Sequence, residues 1–341
     1  MKTDIMSLDL NELTEFMTSI GEKAFRAKQL YDWMHVKHVP LNEMSNISDK
    51  LKGILEEKCY FATPEEVKVQ ESKIDGTRKY LFKFTDGNMV ETVWMKYHHG
   101  NSVCISSQVG CRMGCSFCAS TLDGLERNLT ASEMLGQIYK VSNLTGERVS
   151  NIVVMGSGEP MDNYDNVVRF VRMVSDRNGL NISQRNITVS TCGLVPMMKK
   201  LADEMLQITL ALSLHAVTDE KRREIMPVAR LYTISELMDA CSYYFDKTGR
   251  RITFEYSLIR GVNDTEEDAE GLIKLAGGVG AHVNLIPVNP VTERGYKEST
   301  REAVMAFKNK LEKKRINVTI RREMGRDIDG ACGQLRRRYI D

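Results

Sequence analysis

The sequence of 341 residues has no long hydrophobic segment. No apolar run approaches the roughly 20 residues that a transmembrane helix needs, and the opening MKTDIMSLDLNELTEF carries acidic residues where a signal peptide would have an apolar core. Low-complexity segments and short-period repeats are also absent. We therefore expect a cytoplasmic protein that needs no membrane. Thiols stay reduced in that compartment, so clustered cysteines bind metal or take part in chemistry more often than they form structural disulfides.

The net charge is small, but it is unevenly distributed. The 47 Lys and Arg residues nearly balance the 46 Asp and Glu residues, and the formal net charge is +1. Between Lys308 and Arg338, however, eleven Lys or Arg residues stand against four Asp or Glu residues. A basic end on a nearly neutral protein favours a polyanionic partner such as a nucleic acid. A solvated helix face followed by a basic tail is the other interpretation, and charge alone does not decide between them.

Residues 1–62 predict a helical N-terminal domain. Apolar residues recur there at spacings of three and four, as in Leu10, Leu13 and Met17, which is the pattern of a one-faced helix. Further helices are predicted over 23–36 and over 48–58, where Ser48 is a plausible N-cap. Residues 63–97 predict a small antiparallel sheet, because short alternating stretches are separated by two Asp-Gly pairs, a strong hairpin signal.

From residue 98 onward the chain alternates predicted strands with predicted helices. The strand candidates are VCIS (103–106), NIVVM (151–155), NITVS (186–190), ITLALSL (208–214), ITFEYSLI (252–259), HVNLIPV (282–288) and NVTIR (317–321). Helices are predicted between most of them, for example over 130–144, 162–177, 233–247, 265–276 and 299–314. This alternation predicts an α/β protein with a parallel sheet, arranged as a partial (β/α)6-type barrel over residues 98–341 that ends in a C-terminal extension.

Chemically distinctive residues follow the predicted strands where each of them ends. In a β/α barrel the active site lies at the carboxyl ends of the strands. The residues in question are Cys111, Cys115 and Cys118 after the first strand, GSGEP (156–160) after the second, Ser190 to Cys192 at the third, Ser213 to His215 at the fourth, and Pro287 to Pro290 at the sixth. We therefore expect these segments to meet at one site.

Three cysteines stand close together in GCRMGCSFCAS, residues 110–120. The spacing Cys111-x3-Cys115-x2-Cys118 differs from the C-x2-C pairs of zinc sites and from the four-cysteine run of bacterial ferredoxins. Three thiolates can hold three irons of a [4Fe–4S] cluster and leave the fourth iron open to a substrate. Cys104 lies seven residues before Cys111 and is a candidate fourth ligand, which would give a closed cluster or a zinc site.

The cysteine motif, placed after the first barrel strand, resembles the radical S-adenosylmethionine (SAM) superfamily. The resemblance implies one [4Fe–4S] cluster per chain, held by Cys111, Cys115 and Cys118, whose open iron chelates the amino and carboxylate groups of SAM. GSGEP lacks the third glycine of a dinucleotide fingerprint and resembles the family's GxGEP segment, which contacts the SAM amino group. The same resemblance implies that SAM is held by Gly158, Glu159, Ser190, Ser213, Leu214, His215 and Asn289.

The segment RREMGRDIDGACGQL, residues 321–335, resembles the RlmN and Cfr methyltransferases, which methylate an adenine of large-subunit ribosomal RNA. The likeness extends over nearly the whole chain through VETVWMK, CISSQVGC, MGSGEP, STCGLVP, SLHA and NLIPVNP. Its RlmN branch implies methylation of C2 of an adenosine in 23S rRNA, at the peptidyl transferase centre, and in the tRNA anticodon loop. Pro160 and NLIPVNP favour that branch over the Cfr branch, which methylates C8 of the same rRNA adenine.

The resemblance also implies a two-stage mechanism that uses two SAM molecules per turnover. Cys332 takes a methyl group from the first, and a radical derived from the second removes a hydrogen atom from that methyl. The resulting methylene radical adds to the adenine, Glu91 accepts the proton of the adenine carbon, and Cys104 releases the product by forming a transient disulfide with Cys332. A reducing system must then restore the disulfide and supply the cluster with electrons.

Other interpretations remain open from the sequence. One is a radical SAM enzyme with a substrate other than RNA, and another is a zinc or iron–sulfur binding module without methyltransferase activity. No RNA-recognition motif with paired aromatics is present, so we expect the basic C-terminal stretch, the N-terminal helices and the small sheet to form the RNA surface of a monomer. Cys59, Cys192 and Cys241 match no required thiol and are predicted to be packing residues.

Overall fold

The computed structural model describes residues 2–98, 100–288, 294–322, 324–328, 335–336 and 339. None of the helices in these ranges is long and apolar enough to cross a membrane.

The N-terminal segment contains three helices and a pair of two-residue strands. Its elements are β1 (Thr3–Asp4), α1 (Leu10–Ser19), α2 (Phe25–Asp32), α3 (Asp49–Lys58) and β2 (Cys59–Tyr60). The helix α1 begins with a capping box, in which Asp9 and Glu12 each accept the other's backbone amide. Ser48 caps α3, as the sequence predicts. The helix α2 ends earlier than predicted, because residues 33–37 continue as a π-helical turn.

Residues 65–97 form the predicted antiparallel hairpins. The strands are β3 (Glu65–Glu71), β4 (Arg78–Lys83) and β5 (Met89–Tyr97), paired in that order. Both predicted Asp-Gly turns are present, and their glycines, Gly76 and Gly87, adopt positive φ angles of 72° and 88°. Local turn chemistry therefore sets the register of this sheet.

The second half of the fold is built on parallel strands. After β5 the chain forms β6 (Gly100–Ile105), β7 (Gln108–Gly110), β8 (Leu125–Asn128), β9 (Val149–Val154), β10 (Ile187–Thr191), β11 (Thr209–Ser213), β12 (Thr253–Leu258), β13 (His282–Pro287) and β14 (Val318–Ile320). Each of the seven predicted strands matches one of these elements to within a few residues. The strands β7 and β8 form a separate two-stranded hairpin in the loop after β6.

Ten of the described strands belong to one continuous sheet. Its order is β14-β13-β12-β11-β10-β9-β6-β5-β4-β3. Pairing is parallel from β14 to β6 and antiparallel from β6 to β3. The small sheet expected from the sequence is therefore an extension of the barrel sheet, joined edge to edge through β5 and β6.

Helices connect the parallel strands. They are α4 (Ala131–Thr145), α5 (Tyr164–Val174), α6 (Val195–Asp203), α7 (Asp219–Ile225), α8 (Ile234–Thr248), α9 (Glu266–Val279) and α10 (Arg301–Lys313). Capping boxes at Thr130, Thr233 and Thr265 begin α4, α8 and α9. Six strand–helix units followed by β14 agree with the predicted partial barrel. The helices α6 and α7 are additional to those that the sequence pattern indicated.

Polar contacts hold the N-terminal helices against the barrel. The Arg169 guanidinium in α5 hydrogen-bonds the Glu12 carboxylate in α1, and the Tyr31 hydroxyl donates to Asp176 at 3.3 Å. His35 lies 2.7 Å from the Tyr139 hydroxyl in α4, and burial lowers the pKa of His35 to about 3. This interface is thus fixed by paired side chains as well as by apolar packing.

Candidate active site

The loop that carries the three cysteines is shaped by the β7–β8 hairpin. The Cys111 amide donates to the carbonyl oxygen of Gly124 at 2.8 Å. Gly110 lies at a φ of 75°, and a Cβ atom at this position would lie 2.0 Å from the same oxygen. A side chain at residue 110 would therefore force the two sides of the loop apart.

Further hydrogen bonds fix the middle and the end of this loop. The Ser116 amide donates to the carbonyl of Ile225, the last residue of α7, at 2.9 Å. The Thr121 hydroxyl donates to the carbonyls of Cys115 and Cys118 at 3.1 and 2.9 Å. The loop is consequently held in place by backbone and hydroxyl contacts that do not use the thiols.

The thiols of Cys111 and Cys115 are buried, and that of Cys118 is half-buried. Burial raises the pKa of Cys111 to about 12, and burial together with the neighbouring Cys118 and Cys111 thiols raises the pKa of Cys115 as well. Such thiols ionise only when a positively charged group compensates them, and a coordinating metal does this outright. Two buried thiols and one half-buried thiol that interact with one another therefore fit an iron–sulfur cluster as donors.

Within the described ranges, no three His, Cys, Asp or Glu side chains are grouped closely enough to hold one metal ion. A cluster, by contrast, takes each thiolate on a different iron.

The GSGEP turn packs directly against the strand β7. Gly158 has a φ of 107°, and a Cβ atom there would lie 2.6 Å from the Cβ atom of Gln108. The Gln108 side-chain oxygen accepts the amide of Glu159 at 2.8 Å. The Ser157 carbonyl accepts the amides of Ser107 and Gln108 at 2.9 and 3.1 Å. The turn after β9 is thus joined to the start of the cysteine loop.

Glu159 connects this turn to the end of β10. Its carboxylate accepts the amide of Cys192 at 2.7 Å and the amide of Met161 at 3.1 Å. The side chain is buried, and desolvation raises its pKa, although the hydrogen bonds that it accepts oppose the shift. Two contacts to backbone amides make Glu159 a residue that positions neighbouring strand ends, in addition to the SAM contact implied by the sequence.

His215 lies at the end of β11 and faces the cysteine loop. Its Nδ1 atom accepts the amide of Ser257 at 2.9 Å, so the proton of the neutral ring is on Nε2. Burial lowers the pKa of His215 to about 3, which keeps the ring neutral near pH 7. The Phe117 ring meets the His215 ring edge to face, with centroids 4.9 Å apart. The predicted SAM residue and the predicted cluster loop are therefore in contact.

Arg222 is a site residue that the sequence analysis missed. Its fully buried guanidinium donates to the carbonyls of Cys192 at 2.6 Å, Leu214 at 3.1 Å and Ser213 at 3.3 Å. Its Nη1 atom has no hydrogen-bond partner. Arg222 thus ties the ends of β10 and β11 together beside Cys115. In the sequence, KRRE is a charged stretch of the kind that normally faces solvent, and no local signal distinguishes Arg222 from Arg223.

A second group of site residues forms around Glu91 in β5. Glu91 and Lys79 make a buried ion pair, with Oε2 and Nζ 2.9 Å apart. The Glu91 Oε1 atom accepts the backbone amide of Arg336 at 2.8 Å. The C-terminal segment is therefore attached to the strand that carries the predicted base. Lys79 was also missed, because a lysine in an alternating strand normally faces solvent.

Cys104 projects from the strand next to that of Glu91. Cys104 in β6 is the register partner of Val93 in β5, and the Ser106 hydroxyl donates to the Glu91 carbonyl at 2.8 Å. Side chains two residues apart share a face of a sheet, so Glu91 and Cys104 point to the same side. Cys332 and Asn289, predicted as the methyl carrier and as a SAM contact, lie outside the described residues.

The three remaining described cysteines are all buried. Cys59 belongs to β2 and Cys241 to α8, and both pack in the main hydrophobic core. Cys192 packs instead with Cys115 near the cysteine loop, and burial raises the pKa of its thiol.

Family models match two parts of the chain. Residues 105–276 match the radical SAM superfamily, and residues 3–61 match the N-terminal domain of ribosomal RNA large-subunit methyltransferases.

Curated proteins resemble the chain over its full length. The chain is 63% identical to the probable dual-specificity RNA methyltransferase RlmN of Lachnospira eligens, over 99% of this chain and 97% of that protein. It is 61% identical to the protein of the same name from Lachnoclostridium phytofermentans, over 100% of this chain and 96% of that protein. Among solved structures, a radical SAM methyltransferase from Sphaerobacter thermophilus matches with a TM-score of 0.93 and 41% identity, covering 97% of this chain and 98% of that one.

Proposed function

The chain belongs to the RlmN family of radical SAM methyltransferases, and from that premise we propose that it methylates C2 of an adenosine in 23S rRNA and in the tRNA anticodon loop. The rRNA target lies in the peptidyl transferase centre. C2 of adenine lies between two ring nitrogens and is electron-poor, so it cannot attack the methyl group of SAM as a nucleophile. A carbon radical provides a route that does not need a nucleophilic ring carbon.

The observation that carries the proposal is the hydrogen bond from the Arg336 amide to the Glu91 carboxylate, at 2.8 Å. Arg336 follows Cys332 by four residues, a span of at most about 14 Å in an extended chain. Glu91 in turn shares a sheet face with Cys104. The C-terminal segment and the two strands that the mechanism needs are therefore joined in one place.

When bound by Cys111, Cys115 and Cys118, one [4Fe–4S] cluster with SAM on its open iron would supply the 5′-deoxyadenosyl radical that removes a hydrogen atom from a methyl group on Cys332. Glu159, Ser190, Ser213, Leu214, His215 and Asn289 would hold that SAM beside Gly158. Arg222 and Glu159 keep the contributing strand ends in register through their backbone contacts.

The covalent steps fall to three side chains. The Cys332 thiolate attacks the methyl carbon of a first SAM, takes the methyl group and displaces S-adenosylhomocysteine. After hydrogen removal, the methylene radical adds to C2 of the adenine. The adduct then loses one electron, for which the oxidised cluster would be the acceptor, and Glu91 accepts the proton that C2 loses. The Cys104 thiolate then attacks the Cys332 sulfur and forms a disulfide. The sulfur–carbon bond breaks, and the departing carbon keeps the bonding electrons and takes up a proton to become the methyl group. An external reducing system returns both thiols.

The buried ion pair supports the role of Glu91. A carboxylate in this position needs a compensating charge, and Lys79 supplies it within 2.9 Å. The Arg336 amide uses one further lone pair of the same carboxylate. Glu91 is thus held in one orientation, toward the face that Cys104 shares.

For the domain organisation, we propose that residues 1–62 form an RNA-binding domain and that residues 63–97 link it to the barrel. Residues 98–341 form the catalytic barrel with its extension. We also propose that the protein works as a cytoplasmic monomer, where ribosomal and transfer RNA are available.

Nucleoside analysis tests the proposal. Reconstituted enzyme is incubated with SAM, a reductant and either 23S rRNA fragments or tRNA, and the digested RNA is examined by mass spectrometry. We expect 2-methyladenosine in both pools. Appearance of 8-methyladenosine instead would assign the Cfr-type reaction, and consumption of SAM without RNA methylation would indicate another substrate.

A further inference from the structure

A cavity of about 580 Å³ occupies the barrel beside Cys104. Its volume lies within the range of small-molecule sites, about 300–1,000 Å³. Of the residues predicted to hold SAM, none that the structure describes lines it. The cavity is therefore a space separate from the predicted SAM contacts, with the thiol that releases the product in its wall.

Three members of a polar row, Glu255, Asn284 and Thr319, line this cavity. The cross-strand partners Ser213, Glu255, Asn284 and Thr319 are in register on the four strands from β11 to β14. Asn284 donates to the Glu255 carboxylate at 2.9 Å and accepts from the Thr319 hydroxyl at 3.1 Å. Glu255 thus lines the cavity and is the cross-strand neighbour of Ser213, a predicted SAM contact.

Glu255 is a buried carboxyl group to which the mechanism above assigns no role. It is 5% exposed. Burial raises its pKa, although Arg321 and the Asn284 hydrogen bond oppose the shift. A carboxyl group in its neutral form presents a hydroxyl donor beside a carbonyl acceptor. Adenine presents the complementary pair, a ring-nitrogen acceptor beside the exocyclic amine donor.

We propose that this cavity binds the target adenine of the RNA and that Glu255, oriented by Asn284, recognises the edge carrying its exocyclic amine. The inference rests on the proposed function, in which the base is attached through one methylene group to the sulfur that Cys104 attacks. A base held so close to Cys104 must occupy the space next to it. Enzymes that act on a base inside folded RNA extrude it into a pocket with apolar walls and polar contacts to the base edge, and Met95 and Ile286 contribute such walls here.

The rim of the cavity favours an RNA nucleotide over the adenosine of SAM. Arg321, Arg322 and Arg326 are exposed and line its opening. Arginine side chains at such an opening suit the phosphates that flank a nucleotide in a chain. SAM carries no phosphate, so it offers these arginines no phosphate group to bind.

The test compares two variants with a matched control in the full-length, cluster-reconstituted enzyme. Glu255→Met keeps the side-chain volume and removes both hydrogen-bonding atoms, whereas Glu255→Gln keeps a donor beside an acceptor. Glu133→Gln, a buried carboxyl in the capping box of α4, is the control. Each enzyme is given an RNA fragment with either adenosine or purine riboside, which lacks the exocyclic amine, at the target position.

The measured quantity is the ratio of kcat/KM for adenosine to kcat/KM for purine riboside. The two substrates differ in intrinsic reactivity, but this difference is the same for every enzyme and cancels when the ratios are compared. We expect the ratio to fall roughly tenfold or more in Glu255→Met, to be largely kept in Glu255→Gln, and to be unchanged in Glu133→Gln. The dissociation constant of SAM, followed by the change in the cluster spectrum, should stay within about threefold of the wild-type value in all three. Cluster content and the melting temperature establish that the variants are folded.

Two results would overturn the inference and leave the proposed function intact. The ratio could be the same in Glu255→Met as in the wild type, which would show that Glu255 does not read the amine. Alternatively, SAM binding could weaken together with the loss of activity, which would assign the carboxyl group to the adenosine of SAM. If the wild-type enzyme methylates neither RNA, the proposed function itself fails and this inference fails with it.

Discussion

Cys111, Cys115 and Cys118 come from one loop, whereas Lys79, Glu91, Cys104 and Arg336 come from four separate segments of the chain. We call the cysteine loop with its strand-end contacts the cluster half, and the second set, with Cys332, the carrier half. In the cluster half, backbone hydrogen bonds within a short loop set the positions of the thiols. In the carrier half, strand register and one buried ion pair set the positions of the described residues Lys79, Glu91 and Cys104.

The difference predicts how each half fails. A local loop loses its function when one of its own residues is changed, and the rest of the fold remains. An assembly of several segments also fails when a residue that never touches the substrate is changed, because its parts are positioned by contacts between those segments.

The largest effect should come from removing a thiol from either half. We expect Cys332→Ala and Cys118→Ala both to abolish RNA methylation, because each lacks a group that takes part in covalent or cluster chemistry. Only Cys332→Ala should keep a cluster whose electron paramagnetic resonance spectrum changes on adding SAM. Cys241→Ala, a packing cysteine in α8, is the control that should keep both properties. A Cys332→Ala enzyme that still methylates RNA would remove the carrier half from the mechanism.

Cys104→Ala should stop the reaction after the adenine has become attached to Cys332, at the step that releases the product. Without the thiol that attacks the Cys332 sulfur, the methylene-linked protein–RNA adduct has no route to resolution. We expect at most one turnover per enzyme and a covalent adduct that migrates slowly on a denaturing gel. Normal multiple turnover in this variant would show that Cys104 does not release the product.

The ion pair should set the stability of the carrier half. Lys79→Met leaves the Glu91 carboxylate buried without its partner, which typically costs about 3–5 kcal/mol in the free energy of unfolding. The double variant Lys79→Met with Glu91→Gln should recover most of that loss, since it removes both charges. Urea unfolding measures both. Lys96→Met, which breaks the exposed pair with Glu147, is the matched control and should cost only about 0–1 kcal/mol. An equal loss of unfolding free energy in Lys79→Met and Lys96→Met would show that the buried ion pair contributes no more to stability than the exposed one.

The same division decides what could be predicted from the sequence. Strand and helix positions followed from periodicity and from turn residues, because these are local signals. The cysteine spacing and GSGEP were equally readable, and the structure places Phe117 of that loop against His215. The continuity of the small sheet with the barrel was not predicted. The strands β5 and β6 pair as a tight hairpin, with Tyr97 opposite Gly100, whereas the sequence analysis assigned them to separate sheets.

Buried charges were the residues that sequence reasoning could not find. Lys79 and Arg222 both occur in stretches that resemble ordinary exposed strand or helix faces. Their burial depends on a partner in another element, Glu91 in the neighbouring strand for Lys79 and the carbonyl of Cys192 for Arg222. A charge is stable in a protein interior only when such a partner is present, and the partner is known only once the register of the sheet is known.

The smallest effect should come from the contacts that attach the C-terminal segment to the β3–β4 turn. Asp327 accepts the Ser72 hydroxyl at 2.5 Å and the Lys73 amide at 2.8 Å, and Asp75 accepts the Gly325 amide at 3.0 Å. We expect Asp327→Asn to lower amide-exchange protection at Lys73 and the single-turnover methylation rate by only about twofold, as for an exposed site, with SAM binding unchanged. Asp165→Asn, another exposed aspartate, should change neither quantity.

The pH dependence of this attachment has a definite sign. Hydrogen bonds from Ser72 and from the Lys73 amide lower the pKa of Asp327. Its contribution is therefore complete above the ordinary carboxyl pKa of about 4 and is lost as the pH falls through the lowered value. Protection at Lys73, corrected for intrinsic exchange, should accordingly fall on acidification in the wild type and change less in Asp327→Asn. If protection at Lys73 fell more in Asp327→Asn than in the wild type, the C-terminal segment would be held to the turn by something other than this carboxylate. The carrier half would then not depend on Asp327.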